Sequence, residues 1–294
     1  MEFHPLDLSD KAELEQALLH APDRGCEYTF GNLYIWREVY GTKTACSNGF
    51  RLIRFDQVTR SYLFPVGEGN LAEVMEELIA DAREQGVPFH MVAARREDCD
   101  ELEKQMPGRF SFHTSRDFAE YVYLSENLIE LRGKKYHGKR NHIAKFMAEY
   151  PDNCFEQITR ENMDEVRAMN EEWYESNTDD SASLQEERTA VDCAMDDFFL
   201  LGFCGGLLRA EGRVVAYSMG EPINGGTFCT HIEKALHTVD GAYTVINQRF
   251  CERFCRDYRF VNREDDVGDE GLRRSKLSYY PEQVTEKYVV AFRQ

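Results

Sequence analysis

Between His231 and Tyr288 the chain concentrates strand ends, a glycine-marked helix start, paired carboxylates and closely spaced cations: THIEKA over residues 230–235, DGAYTVINQRF over 240–250, and FVNREDDVGDEGLRRSKLSYYP over 260–281. Such groups suit general acid–base work and the stabilisation of a developing oxyanion. Strand alternation sets Cys229, His231 and Glu233 on one face. His231 or Glu233 could serve as a base there, or both could satisfy backbone groups where a sheet ends. Gly241 and Ala242 open a helix whose first N–H groups are free to meet an anion; the alternative is a glycine start close-packed on the sheet. Asp265, Asp266, Asp269 and Glu270 precede Arg273, Arg274 and Lys276. On a helix from Asp269, that residue caps the N-terminus and pairs with Arg273, while Arg273 and Lys276 share a face. This is either an ion-paired surface helix or a site in which Arg273 and Lys276 hold donor phosphates or the oxyanion and Asp265 or Asp269 orients an amine.

The elements that must position these residues follow from periodicity and turn residues. In the first half, helices are expected at 10–20 and at 30–40, the second with Leu33, Trp36 and Tyr40 on one face. Asn48-Gly49 turns the chain into a strand over 51–56, and 61–66 supplies a second, a hairpin signal. A helix runs from Asn70 to Gln85 with Leu71, Val74, Met75, Leu78 and Ile79 inward and Gly86 closing it. A strand at 88–93 and a helix at 97–106 follow, then strands at 110–113 and 118–124 that pair with each other. The second half restarts with a strand at 154–158 and a helix carrying Met163, Val166, Met169, Asn170 and Trp173. An acidic loop over 175–183 leads to a helix over 184–199. A three-stranded meander (205–210, 214–222, 227–233) precedes a helix opened by Gly241 and running to 258, a strand at 259–262, a helix at 270–280 stopped by Pro281, and a last strand at 284–292. Mixed α/β units are expected at 1–126 and 152–294, joined by a basic helical connector at 127–151.

The 294 residues carry a formal net charge of −18, so broad affinity for nucleic acid or an anionic membrane surface is disfavoured. The exception is the acid-free run from Arg132 to Lys145. It reads as a solvated helix face, a landing site for a nucleic-acid backbone, or a surface packed on the chain's own acidic parts. Nine scattered cysteines form no CxxC and no Cys/His ligand pattern; Cys251 and Cys255, four apart, lack a second pair of ligands. Reduced thiols, no metal and a cytoplasmic location are expected. No segment approaches the roughly 20 apolar residues that cross a bilayer, and the N-terminus lacks a secretory pattern.

The order strand, two helices, meander, helix, strand, helix, strand resembles the GNAT acyltransferase fold, and the first half is similar to a degenerate second copy. The motifs FGNLYIWRE, GKRNHIAKF, HIEKA with GAYTVINQRF, and NREDDVGDEGLRRSKLSYYPEQVTEKY together resemble, over nearly the whole chain, the family of the phosphatidylglycerol lysyltransferase C-terminal domain. That resemblance implies two tandem GNAT-like domains, each a mixed twisted sheet flanked by helices. It also implies kinship with the Fem aminoacyltransferases and transfer of an aminoacyl group from a charged tRNA to an amine or hydroxyl acceptor: a small molecule, a peptide or a lipid headgroup. The site residues it favours are Glu233, Asp265, Asp269, Arg273 and Lys276 for chemistry. His231, Gly241, Ala242, Tyr243, Asn247, Asn262 and Tyr280 would contact donor or substrate; Tyr279 and Tyr280 fall where many GNAT enzymes place a proton-returning tyrosine. Lys134, Lys135, Lys139, Arg140 and Lys145 would contact tRNA. The GNAT donor loop is reduced to residues 236–242, with one glycine. Acetyl-coenzyme A as donor, and a non-catalytic ligand-binding module, stand as the alternatives.

Overall fold

The computed structural model describes residues 1–19, 25–57, 59–177 and 181–293. The chain forms two compact units, one of residues 1–120, 265–270 and 284–294, the other of residues 121–264 and 271–283. Both are mixed α/β. The expected connector falls within the second unit as Ser125–Glu130 and His137–Glu149, and the last eleven residues belong to the first.

The first unit's eight-stranded sheet runs His4–Pro5, Thr42–Ser47, Phe50–Phe55, Ser61–Tyr62, His90–Ala94, Tyr288–Phe292, Phe110–Thr114, with Val66–Gly67 paired to Phe50–Phe55. Asn48 and Gly49 both take positive φ (49° and 83°), the geometry of a tight two-residue hairpin. The hairpin therefore joins Thr42–Ser47 to Phe50–Phe55, and the 61–66 segment contributes only two short strands beside it. Leu71–Glu84 forms as expected: the Asn70 side chain accepts the Glu73 N–H, and Leu71, Val74, Met75, Leu78, Ile79 and Ala82 are buried. The helix expected over 30–40 breaks at Trp36, which stacks on Tyr40 at 5.4 Å, leaving only Leu33 of the predicted trio in the core. The first helix spans Lys11–Leu19, and residue 20 of the expected span lies outside the described residues.

Phe110–Thr114 and Glu120–Leu124 do not pair with each other. The former takes Tyr288–Phe292 and the latter Phe260–Asn262, each as an antiparallel neighbour. Local alternation marks a segment as extended, but does not name its partner.

The second unit's sheet runs Gln283–Thr285, Glu120–Leu124, Phe260–Asn262, Thr227–Ala235, Arg213–Pro222, Cys204–Ala210, Cys154–Gln157. The meander is present, its first turn made by Glu211 and Gly212 at positive φ. Met163–Ser176 buries Met163, Val166, Met169, Asn170 and Trp173 as the spacing predicts. The next helix starts earlier than expected, at Ala182 behind a Ser181 cap; of the acidic loop read over 175–183, residues 178–180 lie outside the described residues. Ala242–Phe254 packs on the sheet through Val245, Ile246 and Phe250. Beneath it Tyr121, Tyr123, Tyr136, Phe228, Val261 and Tyr279 form a buried cluster. Tyr123 donates its hydroxyl to the Lys276 carbonyl (2.8 Å) and Tyr136 to the Tyr279 carbonyl (3.0 Å), so the short helix Glu270–Leu277 is tied at its C-terminal end to the core.

Candidate functional site

Parallel pairing between Thr227–Ala235 and Phe260–Asn262 stops at Cys229 and Asn262, while the first of these strands continues to Ala235. Polar and charged side chains gather beyond this point. The antiparallel ladder on the other side of Thr227–Ala235 slips there too: Thr230 faces Gly220 and Ile232 faces Met219, leaving His231 as the extra residue of a β-bulge. The bulge corrects the expected face. Phe228 packs on Phe250, and Glu233, at odd spacing from it, accepts from Asn247 on the same helix Ala242–Phe254. Strict alternation forbids that pairing of faces. Glu233 thus lies toward this helix, and Cys229 with His231 lies on the opposite face.

On the helix side, Glu233 accepts from Arg263 Nη2 at 2.7 Å and Asn247 Nδ2 at 3.0 Å. The Glu233 and Arg263 side chains are only 10% and 11% exposed. Burial opposes the guanidinium charge, but Glu233 outweighs it and holds Arg263 firmly protonated. Arg263 lies over the Tyr279 ring (4.8 Å), and Lys139 approaches the same ring at 3.7 Å. Burial, with the nearby Arg263, pushes the Lys139 amine down to about 8, and burial pushes Tyr279 up to about 12. Among the described residues Arg263 Nη1, Asn247 Oδ1 and Thr230 Oγ1 are buried with no hydrogen-bond partner. Leaving such groups unpaired costs about 1–3 kcal/mol each. A charged donor and an amide oxygen thus offer unmet hydrogen bonds beside a fixed carboxylate: the guanidinium can take a carbonyl or phosphoryl oxygen, and the amide oxygen an N–H or O–H.

On the other face, His231 bridges two carboxylates, Nδ1 to Glu264 at 2.7 Å and Nε2 to Glu221 at 3.1 Å, with Cys229 Sγ 3.5 Å from Nδ1. Burial disfavours its charge; the adjacent Cys229 and hydrogen bonds to Cys229, Glu221 and Glu264 outweigh that and raise its pKa. Asn262 is buried and accepts the Glu264 N–H at 2.8 Å, holding Glu264 at φ 58°.

Asp265 and Asp269 belong to the first unit, where Asp265 lies 3.3 Å from Lys287, a buried amine also paired with Glu27 and Glu120. Arg273 and Lys276 belong to the second unit: Arg273 is half-buried, and Lys276 is buried with Nζ donating to the Arg263 carbonyl at 2.6 Å. Lys276 thereby positions the backbone of Arg263. Gly241 (φ 85°) packs on the helix His137–Glu149: an added Cβ would sit 2.8 Å from the His142 carbonyl oxygen. The Ala242 N–H turns back to the Val239 carbonyl (3.3 Å), and Asp240 beside it takes Lys145 at 2.6 Å. Tyr243 accepts from Trp173 Nε1 at 3.2 Å, and Tyr280 is exposed at φ 53°. In the basic run, Arg140 donates to the Leu131 and Gly133 carbonyls, Lys135 lies 5.2 Å over the Tyr280 ring, and Lys134 is exposed.

Glu233, Asn247 and Asn262 are among the residues the sequence singles out, and Lys139 is among the cations expected to contact tRNA; Arg263 and Glu264 are not among the expected site residues. The signal for Arg263 was its place directly after the strand that neighbours Glu233's strand.

Two mixed sheets flanked by helices make a tandem GNAT-like fold. The structure of L-PGS from Bacillus licheniformis shares it with a TM-score of 0.65 at 17% identity, over 97% of this chain and 92% of that one. A conserved protein of unknown function from Bacteroides thetaiotaomicron is far more similar, with a TM-score of 0.95 and 37% identity over 100% of both chains. An uncharacterised protein of Mycoplasmoides gallisepticum is 25% identical over 174 residues, 58% of this chain and 55% of that protein, so the chain spans about half the length of the curated relative it matches. The match to the family described as "Phosphatidylglycerol lysyltransferase, C-terminal" extends over residues 20–291, and the chain belongs to that family. No helix among the described residues is long and apolar enough to cross a membrane.

Proposed function

We propose that the protein transfers an aminoacyl group from a charged tRNA to an amine or hydroxyl acceptor, using the buried groups around Glu233 and Arg263. The observation that carries this is the unmet hydrogen-bonding capacity of Arg263 Nη1 and Asn247 Oδ1 beside Glu233. Glu233 and Lys276 hold the guanidinium and its backbone, so Nη1 is fixed before substrate arrives and can bind the donor's ester carbonyl oxygen. Asn247 Oδ1 accepts from the incoming amine or from the aminoacyl ammonium. Lys139, whose amine is partly neutral near its pKa of about 8, takes the proton that the acceptor loses on attack and returns it to the departing ribose oxygen. The bond formed is acyl carbon to acceptor nitrogen or oxygen; the bond broken is acyl carbon to ribose oxygen.

A coenzyme A donor is disfavoured by the start of the helix Ala242–Phe254. There the Gly241 Cα faces helix backbone, the Ala242 N–H is used within the turn, and the Asp240 carboxylate would repel a pyrophosphate. Family membership favours tRNA as donor. Lys134 and Lys135 would meet its backbone. The acceptor class extends to a peptide or a lipid headgroup at a membrane surface.

The test supplies the protein with a tRNA pool charged with labelled amino acids, together with small amines or phosphatidylglycerol vesicles, at low salt. Protein-dependent movement of label from tRNA to an acceptor is the expected result. Label that stays on tRNA while acetyl-coenzyme A acetylates an acceptor would replace this reading with acetyl transfer. Ligand-induced stabilisation with no turnover of either donor would make the protein a binding module.

A further inference from the structure

The face of Thr227–Ala235 turned away from Asn247 carries groups that the transfer scheme does not use, and their geometry is that of a metal site. Cys229 Sγ, His231 Nδ1 and a Glu264 carboxylate oxygen lie within 4.8 Å of one another. The separations are 3.5 Å from sulfur to nitrogen, 3.8 Å from sulfur to oxygen and 2.7 Å from nitrogen to oxygen. A tetrahedral zinc ion with ordinary bond lengths sets edges of about 3.6 Å for the two sulfur contacts and about 3.4 Å for nitrogen to oxygen. Two of the three edges already fit. The third opens by about 0.7 Å when a bridging proton gives way to a cation, a movement within one glutamate rotamer.

Three features of the surroundings argue for the same ligand. His231 presents Nε2 to Glu221 at 3.1 Å, the carboxylate that a metal-bound histidine uses to fix its ring and its tautomer. The bulge at His231 interrupts a ladder that otherwise pairs from Ala216 to Pro222, and it leaves the imidazole unopposed next to Cys229. Glu264 holds a left-handed backbone at φ 58°, an unfavourable conformation for a glutamate that Asn262 enforces by accepting its N–H. A bulge on one strand and a strained backbone just past the end of its neighbour converge on one point. The Cys229 thiol is fully buried and the His231 side chain is 1% exposed, whereas the Glu264 side chain is 23% exposed and marks the side from which an ion enters.

We propose that Cys229, His231 and Glu264 bind one zinc ion, with Glu221 as the outer partner of His231 and the fourth position open to water. One thiolate, one imidazole and one carboxylate suit zinc over calcium or magnesium, which take oxygen ligands only. The thiol proton and the proton shared between His231 Nδ1 and Glu264 both leave to solvent on binding. The ion clips the strand Thr227–Ala235 to the segment after Phe260–Asn262 where backbone pairing has ended.

The test uses the full chain, stripped with chelator and titrated with zinc chloride by calorimetry, then loaded with cobalt(II) for absorption spectra. One zinc per chain is expected, with a thiolate-to-cobalt charge-transfer band and the strong visible bands of a tetrahedral ion. Glu264→Gln and Cys229→Ser should each weaken zinc binding at least tenfold, and Glu221→Gln by about 10–100-fold, with circular dichroism unchanged. Ser at both exposed cysteines, Cys46 and Cys154, should leave binding intact. If Cys229→Ser fails to fold, the wild-type cobalt band decides alone. Absence of stoichiometric zinc, a cobalt spectrum without a sulfur band, or binding that vanishes in the Cys46 and Cys154 variant overturns the proposal.

Discussion

Gly241→Ala separates two accounts of the helix start, because the structure gives Gly241 a packing role where a donor loop would give it an anion-binding one. Its φ of 85° costs a residue with a side chain about 1 kcal/mol. The added methyl would lie 2.8 Å from the His142 carbonyl oxygen and 3.1 Å from Phe146 Cβ, both fixed on the helix His137–Glu149. Overpacking of this kind costs about 1–3 kcal/mol. The total is about 2–4 kcal/mol, and a mid-range loss lowers the midpoint by roughly 6–12 °C. Gly212→Ala is the control: its φ is 74°, and a methyl added there would meet nothing within 4 Å, so only the conformational part applies. Urea denaturation of both variants should place Gly241→Ala below Gly212→Ala by about 1–3 kcal/mol. Equal stability of the two, with transfer lost only in Gly241→Ala, would refute the packing argument and restore an anion-binding helix start.

Further outcomes follow from charges and exposure. Lys139, with a folded pKa of about 8 against an ordinary 10.5, is charged at a cost below pH 8, and the folded state sheds that proton first as pH rises. Lys139→Met should therefore be more stable than wild type near pH 7, with the gap closing between pH 8 and 10.5 in parallel denaturation curves. Burial raises Glu27 to about 7, so the folded chain keeps a proton that the unfolded chain has lost. Its stability contribution is full below pH 4.5 and falls as pH rises to 7, a slope that Glu27→Gln should remove. Lys134→Ala should reduce the slope of log affinity for tRNA against log salt by about 0.7–0.9, as one lost phosphate contact would, with stability unchanged. A slope equal to that of wild type would remove Lys134 from the tRNA surface.

Much of the second unit was legible because its signals are local. Asn224-Gly225-Gly226 and Glu211-Gly212 mark the meander turns, and Gly241 marks the helix after them. Leu71–Glu84 was equally clear, from its cap, its apolar stripe and Gly86. Strand partnership was not legible: nothing within Phe110–Thr114 or Tyr288–Phe292 says that they pair across some 170 residues of chain. The bulge at His231 was invisible for the same kind of reason, since it exists only relative to Arg213–Pro222. That one slip moved Glu233 to the helix side, against Arg263, and left His231 on the other face against Glu264. Lys139 looked like one more cation in a basic run; only its packing over Tyr279 distinguishes it from Lys134. The acidic and basic residues of 265–276 looked like one constellation because they are contiguous, yet Asp265 and Asp269 fold with the first unit and Lys276 with the second.

The most direct test of the transfer site is single-turnover loss of the labelled aminoacyl group from tRNA to acceptor, compared between wild type and Arg263→Lys. The lysine keeps one positive charge for Glu233 but has no second planar donor at the place of Nη1. The account predicts a folded variant whose transfer rate falls about 10²–10³-fold, as loss of one oxyanion donor does. A folded Arg263→Lys protein that transfers at the wild-type rate would contradict it.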